Sequence, residues 1–421
     1  MMQREHSGET WYKMDNVAKV FLATYARRDT RSFRLSCYLT ETVDPEILDQ
    51  AAKRAAQDWP QNQVTIHKGL FWHYMQTTDK LPEVEEEHER PCPSLYGMGK
   101  EGQLHYKVTY FDKRINLDMF HAISDGNGGL EFLNMIVLNY LKILHPEEMA
   151  NVSVGSGASS GDLEEDSFEH FRGKKIAWDQ PKKKAYHLKG RKLPYDQLQF
   201  LEVHMPASEM LSRAKAAGVS LTSYMGAKLM LAIYADMPLL KRKKPITISL
   251  PVNLRNYFPS ATSRNFFNSI YATKVLKGDE TVESLAAEFD KQLKDQLTPE
   301  KIAARMNRYE LFETLPLVRV VPLFIKNPVV AAGSRQEGRT TTAVLSNMGK
   351  VVIPEEMKKY VAGYAPYCST ASMFVTVCSY ENDLVYGIAY AYRSTRVLKN
   401  FIRSITKDDI PVSVYAMDVV K

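Results

Sequence analysis

The sequence predicts an α+β protein built as two similar lobes. Three observations carry this. Segments that alternate like strands and segments with helical apolar spacing are interspersed without the regular rhythm of a parallel sheet. The order strand, cap, helix opens at residue 32 and returns at residue 198. Between the two openings lies the one clear shift in composition, residues 151–192.

In the first lobe, "SFRLSCYL" (32–39) alternates as a strand. Asp44-Pro45 then starts a helix over "EILDQAAKRAAQDW", with a capping side chain followed by proline at the first helical position. "LHYKVTYFDKRINLDMF" reads as a hairpin turning near Asp112 and Lys113, and its second strand runs into His121. After Asn127, "LEFLNMIVLNYLKIL" is apolar on most faces, as a helix between layers should be.

Residues 151–167 are small, polar and acidic, and residues 174–192 are basic. Neither stretch has useful periodicity, so residues 151–192 read as a crossover linker between an N-terminal lobe (1–150) and a C-terminal lobe (193–421). The second lobe opens with "LQFLEVHM" (198–205) as a strand, Ser208 as a cap and a short helix ended by Gly218. "LTSYMGAKLMLAIYADM" (221–237) is a mostly apolar helix with Ser220 or Thr222 as cap. In "ITISLPVNLRNYFPS", Ile246, Ile248, Leu250, Val252 and Leu254 share one face of a strand, with Thr247, Ser249, Asn253 and Arg255 on the other. "MFVTVCSYENDLVYGIAYAY" is a hairpin with Glu381, Asn382 and Asp383 at its turn, followed by a terminal helix. No glycine-rich dinucleotide fingerprint follows any strand.

The 421 residues are 44% hydrophobic and 25% charged, ordinary values for a globular protein with a sizeable core. A net charge of +6 suits an anionic small-molecule partner but lacks the clustered basic face of a nucleic-acid binder. Cys37, Cys92, Cys368 and Cys378 lie far apart in apolar surroundings and read as buried free thiols in a reducing compartment. The first residues have no apolar leader and no run approaches about 18 apolar residues, so a cytoplasmic protein without a membrane span is expected.

The stretch "MFHAISDGNGG" (119–129) concentrates candidate chemistry. A calcium loop fails: with Gly126 at its sixth position, His121 and Phe132 occupy the first and twelfth, where Asp and Glu are required. A transition metal needs three or four ligands, and no further His, Cys or Asp cluster accompanies His121 and Asp125. Two readings remain. In one, the stretch is a tight turn in which Asp125 caps the helix and His121 is incidental. In the other, His121 projects from a strand end into a cleft as a general base, its ordinary pKa near 6.5 suiting it to take a proton from a hydroxyl or amine. The stretch alone does not separate them.

The pattern H-x-x-x-D-G after a strand and before an apolar helix resembles the chloramphenicol acetyltransferase-like superfamily. So does the order of "WYKMDNVAKVF", "FHAISDG", "LTSYMGAKL", "PVNLRNYFPSATSRNFFNS" and "LSNMGK" over nearly the whole chain. The match is to its bacterial alcohol acetyltransferase-like branch, in a superfamily that also holds the condensation domains of peptide synthetases. The resemblance implies two lobes forming a V with a tunnel at their junction. It implies an acyl-CoA-dependent O- or N-acyltransferase with no tightly bound cofactor, in which acyl-CoA is a co-substrate and a small alcohol or amine the acceptor. By this resemblance His121 is the catalytic base, Asp125 holds the loop through an ion pair with Arg255 as its partner, and Gly126 is needed for the turn. Ser346, Asn347, Asn265 and Asn268 are nominated as oxyanion or tunnel residues. Phe120 stands where many condensation domains carry another histidine, and the D-F-G-W-G motif of the plant enzymes is absent. A stand-alone condensation enzyme using a carrier-protein-bound donor is the alternative; a catalytically silent binding module is another, against which the presence of both His121 and Asp125 argues. The basic runs Lys182–Lys184 and Lys241–Lys244 suit either the phosphates of CoA or the acidic face of a carrier protein, beside their plain reading as solvated charge.

Overall fold

The computed structural model describes residues 11–97, 99–155, 167, 183–314 and 320–417. Most of the expected linker, with Lys182, lies outside the described residues.

Two mixed sheets dominate. The five-stranded sheet has the order β12-β2-β7-β6-β5. It consists of β2 (Ser32–Leu39), β5 (Val84–Glu86), β6 (Tyr106–Phe111), β7 (Arg114–Phe120) and β12 (Val361–Cys368). The seven-stranded sheet has the order β10-β9-β11-β13-β14-β8-β15. Its strands are β8 (Gln199–Pro206), β9 (Ile246–Asn253), β10 (Phe267–Lys274), β11 (Ala343–Lys350), β13 (Met373–Tyr380), β14 (Asp383–Tyr390) and β15 (Ser413–Ala416). Parallel pairing of β11 with both β9 and β13 makes this sheet mixed. A small antiparallel sheet joins β1 (Trp11–Lys13), β4 (His73–Thr77) and β3 (Val64–Lys68).

Local signals explain the helices. The first, α1 (Asn16–Thr24), is capped by Asp15, whose carboxylate accepts from the Ala18 N–H. In α2 (Pro45–Asp58), Asp44 accepts from the N–H groups of Glu46 and Ile47, and Leu48, Ala51, Ala52, Ala55 and Ala56 form the buried stripe. The long helix α3 (Gly126–Leu144) follows β7 after the turn 121–125, packs against α2 and buries Phe132, Leu133, Ile136, Val137, Tyr140 and Leu141. Its backbone lies so close to β2 that a Cβ on Gly129 would sit 2.6 Å from the Phe33 ring.

Four features differ from expectation. Ser208 does not cap its helix. Ala207–Ala216 follows Pro206 with no capping side chain of its own, and the Ser208 N–H donates instead to Asn382 Oδ1 from the β13–β14 turn. That turn is Glu381 and Asn382, since Asp383 already pairs in β14. The strand carrying Arg255 ends at Asn253, and Leu254–Asn256 is a 3₁₀ turn. Leu254 thereby leaves the main core for a separate cluster with Phe266, Ile302 and Met306. Finally, β15 forms after the terminal helix Arg396–Thr406, and its four exposed residues carry little apolar pattern.

The sheets are joined rather than merely adjacent. From the second half of the sequence, β12 pairs with β2 of the first half. Gly387 on β14 meets the Pro366 carbonyl of β12 so closely that a Cβ would fall 1.6 Å from the oxygen. The buried Glu202 of β8 accepts from Tyr38 of β2 at 2.6 Å and from Tyr367 of β12, and one apolar core runs through both sheets. Cys37, Cys92, Cys368 and Cys378 are buried free thiols within it.

Candidate active site

The peptide segment after β7 has little freedom. The His121 N–H donates to the Arg31 carbonyl at 2.8 Å, and the Ile123 N–H turns back to the Phe120 carbonyl at 3.0 Å. Asp125 then caps α3: its Oδ1 accepts from the N–H groups of Asn127 and Gly128, both at 3.1 Å. Its Oδ2 accepts from Arg255 Nη1 at 2.8 Å and from the Phe266 N–H at 3.0 Å. Both carboxylate oxygens are therefore committed to the turn, and neither bonds to His121.

Arg255 is equally engaged. Its Nε and Nη2 donate to the Thr262 carbonyl at 3.0 and 2.6 Å, Nη2 also to the Arg264 carbonyl at 2.8 Å, and Nη1 to Asn253 Oδ1 at 3.1 Å. The guanidinium thus gathers the loop before β10 and ties it to Asp125. Further bonds run the same way. Ser124 Oγ donates to the Ser263 carbonyl at 2.7 Å, and Asn265 Nδ2 donates to the His121 carbonyl at 2.8 Å and to Asp15 at 3.3 Å.

Glycine is required here at a different position from the expected one. Gly126 is the first helical residue, has no left-handed φ, and a Cβ on it would meet only the flexible Met348 methyl at 3.3 Å. At Gly128 a Cβ would lie 2.2 Å from the Ser263 carbonyl oxygen, which is fixed backbone. Gly128 and Gly129, not Gly126, let the loop and β2 close on the helix start.

Aromatic rings enclose His121. Phe21 of α1 stacks on it at 4.8 Å, Phe33 of β2 lies at 4.7 Å and Phe267 of β10 at 6.1 Å between ring centroids. Burial pushes its pKa down to about 4, against the opposing charge of Asp125. The imidazole is therefore neutral at physiological pH. Its Nδ1 is buried, and the Ser124 backbone and the Asn265 side chain also work against the lowering.

The four oxyanion nominees divide. The amide nitrogen of Asn265 is engaged as described, and that of Asn347 donates to Thr222 Oγ1 at 2.9 Å, while Asn347 Oδ1 accepts from the Gly349 N–H. Asn268 follows Phe267 on β10, and its Nδ2 is buried without a partner. Ser346 lies on β11 opposite Thr376, whose hydroxyl is also buried and unpartnered. The end of β11 reaches the start of α3 through Met348 and Gly126.

Sequence reasoning missed Asp15, Phe21, Phe33, Phe267, Ser263 and Gly128. Asp15 had a readable signal, the Asp-Asn step before an apolar run; the others meet His121 or its turn only through tertiary packing. Backbone bonds connect the segments that follow the two basic runs. The Ala185 N–H donates to the Arg339 carbonyl and the Tyr186 N–H to the Pro245 carbonyl, which joins the segment after Lys184 to the residue after Lys244. Burial, Lys244, Lys189 and Lys192 lower the pKa of His187, against its bond to the Arg339 carbonyl. Among the described residues no group of three His, Cys, Asp or Glu side chains could hold a metal ion.

No protein-family model matches the chain, and no curated protein matches it by sequence. Solved structures do match. A trichothecene 15-O-acetyltransferase, TRI3 from Fusarium sporotrichioides, is 13% identical with a TM-score of 0.62, over 97% of this chain and 96% of that one. TRI101 of F. sporotrichioides, complexed with coenzyme A and T-2, is 10% identical with a TM-score of 0.64, over 97% and 100%. The first condensation domain of the CDA synthetase is 13% identical with a TM-score of 0.60, over 94% and 96%. The chain thus has the chloramphenicol acetyltransferase-like fold shared by acetyltransferases and condensation domains.

Proposed function

We propose that the chain is an acyltransferase that moves an acyl group from an acyl-CoA thioester to a hydroxyl or amine. One observation carries the reading: a neutral histidine at a strand end, with its backbone held on both sides and its ring walled by Phe21, Phe33 and Phe267; we assign Nε2 as the nitrogen that meets the substrate. In the proposed reaction Nε2 accepts the proton of the acceptor hydroxyl or amine as its oxygen or nitrogen attacks the thioester carbonyl. The C–S bond breaks, and the imidazolium returns the proton to the departing thiolate. No acyl-enzyme forms, and Asp125 and Arg255 act by aiming the turn. The negative charge on the carbonyl oxygen needs a donor, and Asn268, with an uncommitted Nδ2, is the best of the nominees. A tunnel at the junction of the two sheets, with donor and acceptor entering from opposite sides, belongs to the same proposal. That TRI101 was solved with coenzyme A supports the donor class.

Lys189, Lys192 and Lys244, gathered around His187, favour one further reading, in which the donor is a carrier-protein thioester docked on that basic surface. The likeness to a condensation domain supports it too. Calorimetric titration with CoA, acetyl-CoA and a longer acyl-CoA separates the two. Micromolar binding that changes with the acyl group is the expected result; no heat with any of them favours the carrier-bound donor.

A further inference from the structure

A surface beside α1 has no part in the proposed chemistry of His121. The helix Leu323–Gly338 packs against α1, and its first turn is pinned to the β3–β4 hairpin: the Leu323 N–H donates to the Leu70 carbonyl at 2.8 Å and Lys326 Nζ to the Phe71 carbonyl at 2.9 Å. In its first eleven residues only Lys326 and Asn327 are polar. A helix apolar around its circumference normally lies inside a protein or a bilayer. This one is at the surface. Phe324 and Val329 are each 67% exposed and Ile325 is 49% exposed, all within about 140° of helical arc. Trp72 and Leu70 at the hairpin tip and Val320 before the helix extend the patch, at 58, 61 and 66% exposure. Contiguous apolar surface of this kind marks an interaction site.

The charges around it select the partner. Residues 64–77 and 320–338 contain Lys68, Lys326 and Arg335 against a single carboxylate residue, Glu337. In a two-fold pair of copies this surface would face itself with cations in excess of carboxylates. An anionic lipid surface answers both features, since apolar side chains and a tryptophan enter the headgroup boundary while Lys68 and Arg335 meet the phosphates. We propose that this face, Trp72 with Phe324, Ile325 and Val329, docks the protein on anionic membrane surfaces. No helix among the described residues is long and apolar enough to cross a membrane by itself, so the contact is peripheral. The proposal does not depend on acyl transfer.

The test is flotation of the full chain with vesicles of phosphatidylcholine alone or enriched in phosphatidylglycerol, at low and high salt. The expected result is binding to the anionic vesicles that weakens with salt. It falls about tenfold or more in the Trp72→Ser, Phe324→Ser double variant, whose melting and release of CoA thiol stay as in the parent protein. Lack of binding to anionic vesicles at low salt overturns the proposal, as does equal binding by the double variant. A dimer in light scattering that the double variant abolishes also overturns it, because the face then belongs to a second copy.

Discussion

Asp125 and Arg255 stand 130 positions apart in the chain and meet at 2.8 Å, joining the start of α3 to the loop that leads into β10. Both side chains are nearly buried, and each makes further bonds to backbone. Removing either leaves the other charge uncompensated in poor contact with water. Asp125→Ala and Arg255→Ala should each lose about 3–5 kcal/mol of stability by denaturant titration. Asp125→Asn, which keeps an N-cap acceptor but not the charge, should fall between them and the parent. Unchanged midpoints in both alanine variants would dismiss the pair as a structural tie.

The glycine assignments predict a contrast. Gly128→Ala pushes a methyl onto the Ser263 carbonyl and should cost about 1–3 kcal/mol of stability. Gly126→Ala meets only the end of Met348 and should be nearly neutral. Thermal melting of the two variants checks this, and equal losses would mean that the turn, not the close approach, demands glycine.

The state of His121 predicts a pH profile. Because burial lowers its pKa to about 4, the imidazole stays neutral well below pH 6.5, and the acid limb of kcat/KM in the free enzyme should fall there. Folding shows the same sign. The unfolded chain binds a proton that the folded site refuses, so His121 costs stability as pH falls from about 6.5 towards 4. An acid limb centred near 6.5 would contradict the enclosed environment.

His204 predicts the opposite dependence in another place. Burial would lower its pKa, but hydrogen bonds to Asp383 and Glu202 outweigh this and raise it to about 9. Its stabilising contribution is fully present below about 6.5 and is lost as pH rises through about 9. His204→Gln should therefore be clearly less stable than the parent at pH 6 and similar to it above pH 10. Denaturant titrations at the two pH values measure the difference, and a constant gap would refute it.

What the sequence made legible was local. Asp44-Pro45, Ser220, the turn at Asp112 and the cap at Asp125 each act through backbone groups within three residues, so their residue types are enough to read them. Ser208 misled because its N–H finds Asn382 from a distant hairpin, which no neighbouring residue announces. The exchange of β12 into the first sheet and the Phe21–His121 stack are likewise long-range, set by how sheets and helices pack. Arg255 was legible through its motif, although its backbone is a 3₁₀ turn and not the strand that alternation suggested. Gly128 looked like any other glycine of the run; its need comes from the Ser263 carbonyl, 135 residues away by numbering.

The central claim is that His121 is the base of an acyl transfer. Release of CoA thiol from the acyl-CoA that binds best, followed with a panel of alcohols and amines, tests it most directly in the parent and in His121→Ala. The account predicts turnover reduced about 10²–10⁴-fold in the variant, with unchanged melting and unchanged binding of the acyl-CoA. Near-parent turnover by His121→Ala would contradict it.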